Sequence, residues 1–168
     1  MAEKGWERVV HGFAPVYDKR SRVLVLGTLP SVKSREQRFY YGHAQNRFWR
    51  VLATVYGMPT PASVEEKRAL LLACRVALWD VVGACDIRLS ADSTIRRVEA
   101  NDVRPLLAAA PIRAVCTNGG KAHALYQKHL LPLTGLEDIP LPSTSPANAA
   151  CALDELIRRW SVLKEITG

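Results

Sequence analysis

Val23-Leu24-Val25-Leu26 is an unbroken apolar run closed by Gly27, the pattern of a strand covered on both faces. The period then changes. Over 46–56, Phe48, Leu52, Val55 and Tyr56 fall on one helical face, and Gly57 is a fitting stop. Ser63-Val64-Glu65-Glu66 reads as a capping box that opens a helix through Cys74. A second apolar run over 76–82 predicts another strand, and the polar, irregular stretch 86–99 predicts a long loop. Asn101 is placed to cap a helix reaching Ala110. A third strand over 112–117 is closed by Asn118-Gly119-Gly120, and a helix follows over 121–131. A fourth short strand covers 139–142. Ser145-Pro146 then opens a last helix through Glu165, with Pro146 suited to the first helical position.

Strands alternating with helices predict an α/β fold: one domain over 1–168, three layers α/β/α, with a central, mostly parallel four-stranded sheet. Ligands of such sheets bind beyond the carboxyl ends of the strands. That directs attention to 27–45, 80–93, 118–121 and 143–148.

Composition narrows the classes. A chain of 168 residues, 48% apolar and 23% charged, is an ordinary globular domain rather than a disordered one. No apolar run reaches the ~18 residues a membrane helix needs. Glu3, Glu7 and Asp18 with no apolar core argue against a secretory leader. The expected compartment is the cytoplasm, or the nucleoid if the partner is DNA. The net charge is +7, and residues 1–50 carry +6 of it, with ten basic side chains against four acidic ones. Such asymmetry fits either a polyanion-facing surface or a solvated basic face. Cys74, Cys85, Cys116 and Cys151 lack metal-ligand spacing, so neither a metal nor another cofactor is expected.

Gly27-Thr28-Leu29-Pro30-Ser31-Val32-Lys33-Ser34 nearly matches a phosphate loop. Val32, however, stands where that loop needs a glycine, and Pro30 removes a backbone donor, which argues against a nucleoside triphosphate. The segment 39–49, with Tyr40, Tyr41, Gly42 and His43 ahead of a helix, makes a stacking platform for a nucleobase or, alternatively, part of the core. Asn46 suits an N-cap or a pocket amide. Asn118 suits a turn or the reading of a base edge. Ser143, Thr144, Ser145, Ala147 and Asn148 form a small-residue, hydroxyl-rich junction ahead of a helix, suited to phosphate or to simple capping. Asp80, Asp86 and Asp92 lie near the expected mouth as structural groups or as a catalytic carboxylate. No nucleophile elbow is present, and His123 and His129 point to different helix faces.

Taken in order, Leu26–Ser34, Tyr40–Trp49, Trp79–Ser93, Thr117–Gly120 and Leu141–Asn148 resemble the uracil-DNA glycosylase superfamily, and within it the hypoxanthine-DNA (deoxyinosine) glycosylase family. Mismatch-specific relatives carry an asparagine after the first strand. Leu29 stands at that position here; the hypoxanthine family is similar in lacking that asparagine, and its essential asparagine matches Asn46. The resemblance implies a monofunctional hydrolase that flips a damaged base from duplex DNA and acts as a monomer. It implies Asn46 and Asn118 as catalytic groups, holding the base edge or orienting water through the amide oxygen. Tyr41 would stack on the base, and Gly27, Thr28, Leu29 and Ser31 would line its pocket. Lys33, His43, Lys121, Ser143, Ser145, Ala147 and Asn148 would face the DNA, although Ala147 is small for a wedge. Two other readings stand beside this one: a non-catalytic nucleic-acid-binding module on the same fold, and an enzyme of free nucleosides.

Overall fold

The alternation in the first apolar run places Val23 and Val25 on one face of a strand and Leu24 and Leu26 on the other, and all four are fully buried. This is a computed structural model, and it describes residues 5–168. Glu3 and Lys4, counted in the basic N-terminal third, lie outside that range. The strands are β1 (Trp6–Val10), β2 (Val23–Gly27), β3 (Val76–Asp80), β4 (Val82–Arg88), β5 (Ala91–Ala100), β6 (Ala114–Asn118) and β7 (Asp138–Leu141). The helices are α1 (Val32–Gln37), α2 (Phe48–Val55), α3 (Val64–Ala73), α4 (Arg104–Ala109), α5 (Gly120–His129), α6 (Leu131–Thr134), α7 (Leu153–Trp160) and α8 (Val162–Thr167).

The parallel sheet runs β3-β2-β6-β7. Val23 and Val25 pack with Phe48, Leu52, Leu71, Leu156 and Trp160 of α2, α3 and α7 on one side. Leu24 and Leu26 pack with Leu106, Leu125 and Tyr126 of α4 and α5 on the other. This is the expected three-layer α/β/α arrangement. The capping box at Ser63 forms, its hydroxyl accepting from the Glu66 N–H at 3.1 Å.

Three expectations fail for local reasons. The stretch 86–99 is not a loop. It enters a second, antiparallel sheet of order β1-β4-β5, stabilised by Arg8 and Arg97 on Asp86 and by Arg8 on Glu99. β5 is an edge strand, its pairing with β4 is interrupted by register shifts, and only Ile95, Val98 and Ala100 reach the core. No two-residue alternation therefore survives to read. Asn101 caps nothing; its amide donates to the carbonyls of Asp80 and Val82, and α4 starts at Arg104 beside the Asp102 carboxylate. The helix expected from Ser145 through Glu165 begins only at Leu153 and is divided into α7 and α8 at Ser161. The Ser143 and Ser145 hydroxyls take the N–H groups of Ser145 and Ala147, and the Arg47 guanidinium binds the carbonyls of Asn148 and Cys151. Those local bonds use the groups a helix would pair.

Asp138 ties β7 to its neighbours. Burial alone would raise its carboxyl, but bonds from Thr117 (2.6 Å), His123 (2.7 Å) and Gln127 (2.7 Å) outweigh this and hold it below its ordinary value of 3.8. A depressed carboxyl contributes stability above its unfolded pKa and loses it as pH falls through the folded one. Asp138→Ala is expected to cost about 2–4 kcal/mol at neutral pH, because buried donors lose their acceptor. That deficit should shrink below pH 3.8. Urea denaturation across that range checks it.

Candidate functional site

Parallel pairing sets Gly27 level with Asp80 and Asn118 level with Leu141. The carboxyl ends of the strands thereby share one rim, where a cavity of about 1150 Å³ opens. Its floor runs from Gly27 through Thr28 and Leu29 to Ser31, and Tyr41 with Asn46 and the 142–148 segment forms the walls. Gly27 has to be glycine. A Cβ there would lie 2.4 Å from Asp80 Oδ1 and 2.8 Å from the Tyr41 hydroxyl. Ser31 caps α1, accepting from the Ser34 N–H at 3.2 Å. Leu29 is half-buried and packs on the core beneath the floor.

One hydrogen-bonded chain joins three of these elements, and its polarity follows from two backbone donors. The Phe48 N–H can only donate, so the atom it meets on Asn46 at 2.9 Å is the oxygen Oδ1. The Thr144 N–H likewise fixes Asn118 Oδ1 at 3.1 Å. Asn118 Nδ2 then donates to Thr144 Oγ1 and to the Tyr41 hydroxyl, each at 3.0 Å. The Thr144 hydroxyl passes its own hydrogen to Asn46 Oδ1 at 2.9 Å. Both lone-pair directions of Asn46 Oδ1 are thus occupied. Its Nδ2 has no acceptor among the described residues, and Asn46 is one of the residues lining the cavity. The sequence reading has this amide hold a base edge or orient water; the structure commits its oxygen to Phe48 and Thr144 and leaves its nitrogen without a described partner. From the position before the N-cap, Arg47, Asn46 thus bonds the first N–H of α2, and it also lines the cavity. Asn118 is buried at the end of β6 rather than in a turn, with its amide committed to Tyr41 and Thr144.

Tyr41 sits in the left-handed region at φ 51°, a costly conformation for a bulky residue that persists where its surroundings fix it. One ring face stacks on Phe48 at 4.2 Å. Burial, with the Asp80 charge adding to it, drives the phenol well above its ordinary range, so it remains an un-ionised hydroxyl. Tyr40 is core, its hydroxyl on the Ala14 carbonyl at 2.8 Å.

The 143–148 residues line the far wall as linked turns, so the helix N-terminus expected beneath them is absent from that place. Ala147 is exposed at the rim, while Asn148 folds back on the Ser143 carbonyl at 2.9 Å. Lys33, His43 and Lys121 also border the cavity. Much of the N-terminal basic charge is structural: Arg8 is salt-bridged, Arg38 binds the Gly12 carbonyl, and Arg47 anchors the turns. Arg35, which sequence reasoning did not single out, lines the cavity with Nε buried and without a hydrogen-bond partner.

The three aspartates separate. Asp86 is held by Arg8 and Arg97. Asp92 stands on the exposed rim of the hairpin; the surrounding protein and then Asp80 raise its carboxyl, with Lys121 pulling the other way. Asp80 lies on the floor, 3% exposed, with Oδ2 2.8 Å from His11 Nε2. His11, a lone histidine far away in the chain, had no sequence signal, and Thr144 was legible only as one hydroxyl among several in the 143–148 junction.

Residues 14–164 match the family model of the uracil DNA glycosylase superfamily. The chain is 38% identical over 142 residues to the hypoxanthine DNA glycosylase of Methanosarcina acetivorans, covering 83% of this chain and 89% of that protein. It is 33% identical over 138 residues to the Methanosarcina barkeri protein of the same name, covering 82% and 87%. The fold superposes with a TM-score of 0.80 on a solution NMR structure from Methanosarcina acetivorans described as a uracil DNA glycosylase, at 34% identity over 94% of this chain and 98% of that one.

Proposed function

This chain belongs to the uracil DNA glycosylase superfamily, and on that premise we propose that it is a DNA glycosylase that hydrolyses the N-glycosidic bond of a deaminated base, deoxyinosine foremost. The carrying observation is the Tyr41–Asn118–Thr144–Asn46 chain, which leaves an amide N–H uncommitted on a residue that lines the cavity. A base inside a duplex is out of reach and must swing into the cavity, at least cost where pairing is already weak. The free side of the Tyr41 ring is the stacking surface. Water attacks C1′ and leaves its oxygen there; the departing base takes the electron pair of the C–N bond and finally a proton. Asn46 Nδ2 and the backbone of the Gly27–Ser31 floor stabilise the charge that builds on the purine. Such donors, fixed where charge develops, are the usual largest single contribution. Asn118 and Thr144 act as positioning residues.

Lys33, Arg35 and Lys121 meet the phosphates, with His43 and the Ser143–Asn148 turns along the strand. The protein works as a monomer on double-stranded DNA at the nucleoid. Among the described residues no helix is long and apolar enough to cross a membrane.

The test is a duplex with a single deoxyinosine, with uracil and xanthine duplexes in parallel. Free hypoxanthine and an abasic strand are expected, without strand cleavage by the protein. Binding without base release would leave only the non-catalytic module. With about three phosphates neutralised, log affinity should fall with log salt at a slope near −3. A salt-independent affinity in filter binding would remove the phosphate contacts from this reading.

A further inference from the structure

A second cavity, of about 470 Å³, shares Tyr41, His43 and Asn46 with the first, so the 41–46 segment is their common wall. No step above uses it. Its volume is that of a small-ligand pocket, and its electrostatics are one-sided. Besides the Tyr41 phenol, its ionisable lining is His43, Arg47, Arg50 and Lys67; no carboxylate of the described residues reaches it. The carboxylate next to Lys67 in the chain, Glu66, is turned to the Ser63 hydroxyl at 3.2 Å. The Arg47 guanidinium binds only carbonyl oxygens, of Cys151 and Asn148, and so keeps its whole charge. Lys67 is half-buried with its ammonium 5.5 Å from the centre of the Trp49 ring, and burial lowers its pKa with no acid acting against this. Arg50 is exposed and has no salt bridge among the described residues. His43 Nδ1 accepts the Gln45 N–H at 3.1 Å, which leaves Nε2 as the nitrogen that carries hydrogen. A concave site lined by one sign of charge focuses its field and gathers counter-ions. Here the counter-ion is missing from the chain itself.

We propose that this second cavity is an anion site that takes a phosphate group, with Arg50 and Lys67 as its charges and His43 Nε2 as a hydrogen-bond donor. Lysine and arginine are the usual phosphate binders, one as a point charge and the other as a fork of donors. The phosphate has two sources of the same chemistry. One is the backbone of a bound strand, since His43 borders both cavities and a strand that passes it reaches the second from the first. The other is a free phosphate or phosphate ester. The site goes beyond base release and does not depend on it.

The test compares wild type with a protein carrying both Arg50→Gln and Lys67→Gln. Filter binding of undamaged and deoxyinosine duplexes over a salt series reads the strand. A backbone phosphate in the cavity predicts that the double variant binds both duplexes about tenfold more weakly, with a salt slope shallower by about one. Arg50→Lys with Lys67→Arg should restore the slope. A merely structural role for Lys67 on the Trp49 ring would lower the melting temperature and leave the slope unchanged. Titration with inorganic phosphate, followed at the Trp49 indole N–H resonance, reads the free anion: a saturable shift in wild type that the double variant loses. A change of slope alone assigns the site to the strand, and a lost phosphate shift alone assigns it to the free anion. An unchanged slope together with no phosphate shift, or with the same shift in both proteins, overturns the proposal. Failure of wild type to bind any duplex sinks the DNA reading instead, and the inorganic phosphate titration then decides this site by itself.

Discussion

Asn46→Ala is expected to release hypoxanthine about 100- to 1000-fold more slowly than wild type, the usual effect of removing one donor aimed at developing charge. The substitution also removes the acceptor of the Phe48 N–H and of the Thr144 hydroxyl. A stability loss of about 1 kcal/mol should accompany it, small enough for the fold to persist. Asn46→Asp separates the two roles. Its oxygen still accepts from the Phe48 N–H and from Thr144, so the melting temperature should stay near that of wild type. The uncommitted donor, however, becomes an acceptor carrying negative charge, and release should fall as far as in the alanine variant. Single-turnover rates and thermal melts on the same preparations decide it. An Asn46→Asp variant faster than wild type would mean that a base, not a donor, is wanted at this position, and the proposed role of Nδ2 would be lost.

Gly27→Ala should be nearly as damaging although it adds a single methyl. Its Cβ would lie 2.4 Å from Asp80 Oδ1 and 2.8 Å from the Tyr41 hydroxyl. Neither neighbour yields easily: Asp80 is tied to His11, and Tyr41 is stacked on Phe48 and bonded to Asn118. Either the carboxylate or the ring must leave its place on the cavity wall. Overpacking of this kind costs about 1–3 kcal/mol, and release should drop more than about 100-fold, because a displacement near 1 Å is enough to misalign a reacting group. Gly57→Ala is the control. That glycine, unlike Gly27, has positive φ, but nothing lies within 4 Å of its added methyl, so it should lose some stability and keep its rate. Equal release by Gly27→Ala and wild type would show that the floor is not where the base lies.

The parallel sheet was legible because β2 is covered on both faces and so reads as an unbroken apolar run. The antiparallel sheet was not, because β5 shows the core only scattered side chains and its pairing shifts register. Asn46 was legible as a partner for the start of α2 and, through family resemblance, as a candidate site residue. Which of its two amide atoms is left uncommitted was not, since that depends on Thr144, nearly a hundred positions away.

What the chain order by itself determined is the set of short-range patterns: where apolar periods begin and end, which residues can cap, and that the polar segments gather at one end of the strands. Tertiary structure alone decided the proton polarity of the site. Whether an amide or a carboxylate presents a donor or an acceptor depends on which of its atoms a distant backbone N–H, hydroxyl or imidazole already holds. Those partners come together only when β2, β3 and β6 align and Arg47 draws the 143–151 turns against them.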